Sequence, residues 1–347
     1  MRRQQRSASG DLAWGLLKQA GAVHLATTLP DGAPLLRVLN AAVVDDWVLF
    51  HGAVAGEKNL ALGRPAIVSA FESVAQVPSY FVDPEKACPA TTYFRSAQAK
   101  GRLLEVSDEQ TKRRMLQSLM EKYQPEGGYR SFLDNSDVYK KDLRSVRVIG
   151  VRVEQICGKR SLGQDRPPAH TQKVVEGLWR RGEPGDCRAI EQVLAESPLA
   201  RPPFMSRGAL HLVVYPSGDL ASQHADLLRG SYWREKVSVR DMRASIEASS
   251  AWLGLAESNG RLVAAARGAT DSAWTGRICD VIVQSERRGQ GLGRCVMEAL
   301  LDHPAVRNVR ALRLGTKDGA GFYERFGFCQ LEKRGELTEM IRRKTAS

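Results

Sequence analysis

Short runs of apolar residues, separated by turn residues, dominate the first 160 positions of the chain. Leucines at helical spacing over 11–20 are followed by β-rich runs at 23–28, 35–44 and 47–50. The turns between these runs carry Asp-Gly or Asp-Asp pairs, which are typical of tight connections between antiparallel strands. Because a sheet that closes on itself has no exposed edges, the pattern predicts a small β-barrel. Further strands are predicted at 66–72, 98–106 and 146–153.

Helical periodicity recurs at four places in the first 200 residues. Asp11 is expected to cap the helix at 11–20, and Gly21 to end it. The pattern at 109–123 carries an apolar stripe that is typical of a core-facing helix. Helices at 171–181 and 187–196 lie between two Arg-Pro-Pro breaks, so we place the domain boundary after the second break, with domains at 1–205 and 206–347. The stripe at 109–123 consists of Met115, Leu116, Leu119, Met120 and Tyr123.

A different pattern dominates the second half of the chain. A β-rich run at 278–283 leads directly into a glycine-rich segment at 284–293, and an amphipathic helix follows. A strand, a glycine turn and a helix N-terminus together present backbone N–H groups and a positive dipole end to an anion such as a pyrophosphate. The segment lacks the Gly-Lys-Ser/Thr ending of a P-loop and does not read G-x-G-x-x-G. Both of those nucleotide-binding motifs are therefore excluded.

Composition sets broad limits on the class of protein. The 347 residues are enough for two domains. With 43% hydrophobic and 26% charged residues, the chain is neither disordered nor collagen-like. The basic residues 1–6 are not followed by the apolar core of a secretory signal, and no apolar run approaches the roughly 20 residues of a membrane span. We therefore expect a cytoplasmic protein.

The six cysteines lie far apart and form no C-x-x-C pair. Isolated cysteines in such a chain are typical of reduced thiols in the core, so neither disulfides nor a metal site is expected. They are Cys88, Cys157, Cys187, Cys279, Cys295 and Cys329.

The net charge of +12 is spread along the chain without a long Lys/Arg block. A basic surface serves nucleic acids, but it also serves phosphorylated cofactors. The absence of a basic recognition helix favours cofactors, and nucleic acid is disfavoured.

Several ordered motifs of the first half resemble one family. The chain over 11–200 is similar to the FMN-binding split barrel of pyridoxamine phosphate oxidase-like proteins, and most similar to their flavin-nucleotide-binding and nitroimidazole-resistance subgroup. The motifs are Arg37-Val38-Leu39-Asn40, Phe50-His51-Gly52-Ala53, Gly56-Glu57-Lys58, Tyr93-Phe94-Arg95-Ser96, Lys100-Gly101-Arg102 and the stretch 159–166.

This resemblance implies a flavin site that is shared between the two subunits of a homodimer. Arg37 and Lys58 would clamp the FMN phosphate, since cations on rigid strands bind phosphate well. Taken alone, any one of these residues is better explained by a surface ion pair, or for His51 by a core histidine; the ordered set of residues favours flavin. Arg95 and Ser96 would assist from a neighbouring strand. Val38, Asn40, His51 and Gly52 would line the ring and the ribityl chain.

The first half also departs from the family in two respects. The clamp for the substrate phosphate of the oxidases is not found, and Arg180-Arg181 reads as a helix end, so pyridoxamine phosphate is doubtful as a substrate. Related split barrels bind haem or a deazaflavin instead of FMN. Haem stays open as the alternative cofactor, with His24, His51 and His170 as candidate ligands.

The second half, over 206–347, resembles the GNAT N-acetyltransferases. Arg288-x-x-Gly291-x-Gly293 is similar to their acetyl-CoA loop, and the Phe-Tyr-x-x-x-Gly-Phe stretch at 322–328 is similar to their second signature. Ser231-Tyr232-Trp233 and a helix at 239–249 fit the substrate side, and 252–256 with 262–266 fit the first hairpin. The resemblance implies an α/β acyl-CoA N-acyltransferase fold.

The same resemblance implies residue roles. Backbone N–H groups of Val281, Ile282 and Val283 would polarise the thioester carbonyl. Tyr323 would protonate the departing thiolate; as an alternative it is a core tyrosine. Asp280 is either a base that acts through water or the ion-pair partner of an arginine. The pyrophosphate would bind the N–H groups of Arg288, Gly289, Gln290, Gly291, Leu292 and Gly293.

Two hypotheses follow for the whole chain. The first is a bifunctional protein, with an FMN-binding redox domain and an acetyl-CoA-dependent N-acetyltransferase domain that acts on a small-molecule amine. The second is a regulatory protein in which flavin or haem in the split barrel controls acetylation or nucleic-acid binding.

Overall fold

The computed structural model describes residues 4–52, 56–134 and 137–344, so the first three residues of the basic N-terminus lie outside it. The contacts between residues divide the chain into two compact units. The first unit comprises Met1–Gln76 and Thr92–Asp165, and the second comprises Val77–Thr91 and Arg166–Ser347. Contacts thus assign residues 166–205 to the second unit, and the domain boundary after 205 stays a prediction.

The first unit is a curled, antiparallel half-barrel, as predicted. Its sheet runs in the order β3-β2-β6-β7-β8-β5-β4, and β1 pairs with β8. Arg37 of β3 forms an ion pair with Glu57, which follows β5 in the chain. The strands are β1 (Ser7–Ala8), β2 (Val23–Thr28), β3 (Pro34–Leu39), β4 (Ala42–Val44), β5 (Trp47–Gly52), β6 (Pro65–Val77), β7 (Thr91–Glu105) and β8 (Arg147–Ser161).

The described part of this unit contains three α-helices: α1 (Gly10–Gln19), α2 (Glu109–Tyr123) and α3 (Lys140–Ser145). Ala13 and Leu17 of α1 are fully buried in the barrel core. Met115 and Leu119 of α2 are buried in a second cluster against β4 and β5, as the apolar stripe predicted.

Two local predictions for this unit were wrong. The run at 35–44 is not one strand, because the chain leaves the sheet after Leu39 and re-enters it at Ala42. Ser9, not Asp11, caps α1: its hydroxyl accepts a hydrogen bond from the N–H of Leu12 at 3.3 Å. Asp11 lies in the first turn, where its charge favours the helix dipole.

The second unit contains a mixed sheet in the order β15-β16-β14-β13-β12-β11-β10-β9. Its pairs are antiparallel except for the parallel pair of β13 and β14. The strands are β9 (Ser206–Arg207), β10 (Leu210–Val213), β11 (Ala251–Glu257), β12 (Leu262–Thr270), β13 (Thr275–Val283), β14 (Ala311–Thr316), β15 (Cys329–Arg334) and β16 (Leu337–Arg343).

Helices complete the second unit. Buried residues of α6 and α7, including Ala225 and Ile246, share a core cluster with Trp252 and Leu262 of the sheet. The predicted apolar face of α8 is confirmed, since Val296, Met297 and Leu300 are fully buried. The helices are α4 (Pro168–Arg181), α5 (Asp186–Glu196), α6 (Gly218–Leu227), α7 (Val239–Glu247), α8 (Leu292–Asp302) and α9 (Ala320–Glu324).

All six cysteines are described and unpaired. The expectation that they lie in the core was wrong for Cys88, Cys157 and Cys329, which are exposed. Cys329 lies on the edge strand β15, where every residue faces solvent. Among the helices of the described residues, none is long and apolar enough to cross a bilayer.

Candidate functional site

A cavity opens where the parallel strands β13 and β14 part. Within the described residues the two strands pair over three positions only, from Thr275 opposite Ala311 to Arg277 opposite Arg313. Beyond that point β13 continues to Val283 without β14 beside it, and a cavity of ≈ 660 Å³ lies in the gap. The predicted site residues that line it are Asp280, Val281, Ile282, Val283, Arg288, Gly293 and Tyr323.

Strand β13 carries a bulge at the cavity. The register with β12 shifts between Ala265 and Arg267, so that β13 holds one extra residue there. Asp280 lies at this bulge with a φ of 53°, a left-handed conformation that few residues other than Gly, Asn and Asp adopt. Bulges re-aim side chains and backbone groups beside functional sites.

The carboxylate of Asp280 is buried and surrounded by donors. Its Oδ1 accepts hydrogen bonds from Trp233 Nε1 at 3.2 Å and Arg234 Nε at 2.8 Å. Its Oδ2 accepts from Arg267 Nε at 2.5 Å and also pairs with Arg234. Burial raises the pKa of Asp280, but the two arginines outweigh it, so the pKa falls below its usual value of 3.8. Of the two roles left open by the sequence, this geometry favours the ion pair.

The backbone carbonyl of Asp280 is also held. It lies 3.1 Å from Nε2 of the buried His224, and the indole N–H of Trp252 donates to Nδ1 of the same ring at 3.0 Å. Because the indole is a donor only, Nδ1 carries no proton and Nε2 donates to the carbonyl. Burial lowers the pKa of His224 to about 4, so the ring is neutral near pH 7.

The glycine-rich segment after β13 forms a tight turn into α8. Gly289 and Gly291 have φ values of 79° and 77°, in the left-handed region that favours glycine. Gly291 caps the helix, and the first helical hydrogen bond joins the N–H of Cys295 to the Gly291 carbonyl. The N–H groups at the start of a helix have no partner within it, so this turn offers several donors to an anion. Arg288 is exposed at its entrance.

Tyr323 lies on α9 and lines the cavity opposite β13. In the described part of the chain, no hydrogen bond involves its hydroxyl. Burial, with smaller effects of Tyr232 and Asp318, raises the pKa of Tyr323 to about 12. The hydroxyl therefore keeps its proton at neutral pH and can donate it within the cavity.

Tyr232 and Trp233, from the segment between α6 and α7, form another side of the cavity. We call these two residues the acceptor wall. Their rings meet edge to face at 4.8 Å and are 38% and 41% exposed. The Tyr232 hydroxyl accepts a hydrogen bond from the N–H of Lys317 at 2.7 Å. Both rings are thus held at their polar ends and leave apolar surface open to the cavity.

In the first unit, the structure brings together part of the predicted phosphate site. The ammonium of Lys58 lies over Gly52, so that a Cβ at that glycine would be 2.5 Å from Nζ. Burial, and then the charge of Lys58, lower the pKa of His51. Arg37 reaches the same region through its ion pair with Glu57.

The other predicted flavin residues are placed separately. Arg95 faces Glu72 of β6 at 3.9 Å, and Ser96 lies opposite Lys159 of β8. Val38 is 61% exposed on the outer face of β3, and Asn40 is exposed just beyond it. These side chains do not contribute to the group around Lys58.

The residues that hold Asp280 were missed by the sequence analysis. Arg234 and Arg267 lie 46 and 13 positions away from it, and arginines at such spacings carry no recognisable pattern. His224 belongs to α6, a helix that was not predicted. Tyr232 and Trp233 were predicted to lie on the substrate side, in a helical segment, but the structure has turns there.

Comparison with known families matches each half of the chain separately. Residues 9–160 match the model of the pyridoxamine 5'-phosphate oxidase family. Residues 221–328 match the model of the acetyltransferase (GNAT) family. Both resemblances seen in the sequence are thereby confirmed.

Solved structures resemble one half each. A FAD and haem binding protein from Mycobacterium smegmatis is 22% identical and has a TM-score of 0.38. The match covers 46% of this chain and 74% of the Mycobacterium smegmatis chain. A structure assigned to 5-nitroimidazole antibiotic resistance, from Bacteroides thetaiotaomicron, is 21% identical (44% and 85% covered, TM-score 0.35). One assigned to the GNAT family, from Xanthomonas campestris, is 29% identical (36% and 92% covered, TM-score 0.32). No curated protein matches the chain.

Proposed function

We propose that this chain, which joins a pyridoxamine 5'-phosphate oxidase-like domain to a GNAT domain, is an acetyl-CoA-dependent N-acetyltransferase for a small-molecule amine with a flavin-binding N-terminal domain. The observation that carries the transferase proposal is the gap between β13 and β14, which ends at the left-handed glycine turn before α8. A thioester lying along β13 would meet the free edge of that strand, and its pyrophosphate would meet the N–H groups of the turn.

The transfer needs positioning more than covalent chemistry. The amine nitrogen attacks the thioester carbonyl carbon, and N–H groups of Val281–Val283 stabilise the negative charge that forms on oxygen. The C–S bond then breaks. The sulfur receives a proton from Tyr323, which regains one from the nitrogen through water, so the net products are an amide and a free thiol.

Acetyl-CoA binding by the glycine turn can be tested with one matched pair of variants. Gly291→Val forces a β-branched residue into a left-handed conformation at the proposed pyrophosphate site. Gly260→Val imposes the same strain at a φ of 84° in the turn between β11 and β12, which is not part of the glycine turn before α8. Isothermal titration with acetyl-CoA should show at least a tenfold weaker affinity for Gly291→Val and an affinity within twofold of wild type for Gly260→Val.

Transfer itself is measured by thiol release from acetyl-CoA with a panel of primary amines. Acetyl-CoA binding without thiol release by any amine would leave a binding domain and reject the transferase. Wild-type protein that does not bind acetyl-CoA would reject the whole proposal for the second unit.

Lys58 and the residues near it, which are Arg37, His51 and Gly52, fit the phosphate of a flavin. Within the described residues Lys58 has no carboxylate partner, and it points over a glycine at the end of β5. Lys58 and Arg37 would hold the phosphate, with His51 and Gly52 beside the ribityl chain. Bound flavin would supply one- or two-electron redox chemistry.

Flavin binding is tested by the absorbance spectrum of the purified protein and by titration with FMN. Lys58→Gln should weaken FMN binding at least tenfold, whereas Lys18→Gln, at an exposed lysine in the last turn of α1, should not change it. A Soret band in the purified protein would instead support haem, and a colourless protein without FMN affinity would reject both cofactors.

We also propose a homodimer through the outer face of β3 and β6. Leu36, Val38, Ile67 and Phe71 are 59%, 61%, 36% and 58% exposed there. Apolar side chains clustered on one sheet face are typical of a surface that is covered in an assembly. Light scattering should give twice the mass of one chain, and Phe71→Lys should shift it towards one chain. A wild-type mass of 38.2 kDa would contradict the dimer.

A further inference from the structure

We propose that Asp280 is a positioning residue that locks the acceptor wall to strand β13 and takes no proton in the reaction. This inference rests on the proposed acetyltransferase function. Its basis is that one buried carboxylate joins three separate parts of the unit: β12 through Arg267, β13 through its own backbone, and the segment between α6 and α7 through Trp233 and Arg234.

The carboxylate of Asp280 has no lone-pair site left for a further donor. An ionised carboxylate has about four lone-pair sites. Four donors from Trp233, Arg234 and Arg267 occupy the two oxygens of Asp280. A water that carried a proton from the amine would have to displace one of these charged donors. All lone-pair sites of the carboxylate are therefore used by these hydrogen bonds and ion pairs, and none is left to accept a proton from the amine.

The backbone of Asp280 is held as well as its side chain. A left-handed Asp280 sets the bulge that precedes Val281, the first of the proposed oxyanion donors. His224 holds the carbonyl of Asp280, and Trp252 fixes the protonation of His224. The side chain and the carbonyl of one residue are thus both anchored, which leaves the bulge a single arrangement.

The acceptor wall is attached to the same carboxylate through Trp233. Trp233 donates to the same carboxylate that stands at the bulge, so the position of its ring relative to the oxyanion donors depends on Asp280. An amine whose apolar body packs on Tyr232 and Trp233 would then present its nitrogen at a fixed place beside β13. Loss of this lock should weaken acceptor binding and leave acetyl-CoA binding intact.

Three variants test the lock. Asp280→Asn keeps a residue that tolerates the left-handed region but removes the charge. Trp233→Phe keeps an aromatic ring at a half-exposed position but removes the indole N–H together with the five-membered ring that carries it. Trp274→Phe is the matched control, since Trp274 is 64% exposed and does not line the cavity. The measurements are acetyl-CoA affinity by titration, steady-state acetylation of 2-phenylethylamine between pH 6 and 9, and amide hydrogen exchange of residues 231–237.

For Asp280→Asn we expect the KM for 2-phenylethylamine to rise at least tenfold. The acetyl-CoA Kd should stay within threefold of wild type, and the pH profile of kcat/KM should keep its shape. Trp233→Phe should raise the same KM three- to fivefold, and Trp274→Phe should change nothing. Exchange in 231–237 should be faster in the first two variants.

A fall in kcat at unchanged KM, with loss of an ionisation from the pH profile, would identify Asp280 as a base and overturn the inference. Equal KM values and equal exchange in Trp233→Phe and Trp274→Phe would overturn it as well. If Asp280→Asn does not fold, this tryptophan pair decides. Failure of wild-type protein to bind acetyl-CoA or to acetylate the probe would count against the proposed function, and hydrogen exchange would still decide whether the lock exists.

Discussion

Acid pH should destabilise the second unit through His224, whose imidazole is fully buried. Burial lowers its pKa from 6.5 to about 4. The folded state therefore binds the proton less tightly than the unfolded chain, so the full stability is present above pH 6.5 and is lost as the pH falls towards 4. The whole shift corresponds to roughly 3 kcal/mol, of which about 2 kcal/mol is lost between pH 8 and pH 5.

The variant His224→Gln removes this titration. It should be less stable than wild type at pH 8, because the hydrogen bonds to Trp252 and to the Asp280 carbonyl are disturbed. The deficit should shrink by about 2 kcal/mol at pH 5, where wild type also suffers. Comparing the two proteins at each pH cancels the contributions of all other titrating groups.

Urea unfolding at pH 5, 6, 7 and 8, followed by tryptophan fluorescence, measures the deficit. The exposed His24→Gln serves as a control for the substitution itself, and His303→Gln as a positive control, because burial lowers the pKa of His303 to about 4 as well. A deficit for His224→Gln that stays constant from pH 8 to pH 5 would refute the assignment of a neutral, buried His224.

Three further predictions concern single side chains. Burial raises the pKa of Glu191 from 4.5 to about 7, so the stability of the second unit falls as the pH rises from 4.5 to 7. In urea unfolding, Glu191→Gln should therefore stabilise this unit by up to about 3 kcal/mol at pH 8 and have little effect at pH 4.5. Gly101→Ala should destabilise the first unit by roughly 1–3 kcal/mol in thermal unfolding, since its Cβ would overlap a carbonyl of β8, whereas Gly15→Ala, with open space around it, should not. Tyr323→Phe should lower kcat for thiol release at least ~10²-fold with little change in acetyl-CoA affinity. Tyr215→Phe, outside the cavity, should match wild type; equal kcat values in the two variants would remove Tyr323 from the mechanism.

Much of the fold could be predicted because its determinants are local. The apolar stripe of α8 and the alternation along β2 report which face of each element is buried, and that periodicity depends only on helix and strand geometry. The glycines at 289 and 291 could be assigned to a turn for the same reason, since a left-handed residue is a property of one position.

The sequence by itself therefore determined the two family resemblances, the buried faces of elements such as α8 and β2, and the position of the proposed pyrophosphate turn. Only the tertiary structure decided the role of Asp280. Its partners Arg234 and Arg267 come from other elements, and whether a carboxylate is free or paired depends on distances that no local pattern encodes. The pairing of Arg95 with Glu72 likewise depends on which strands lie side by side, because long-range packing sets which side chains meet.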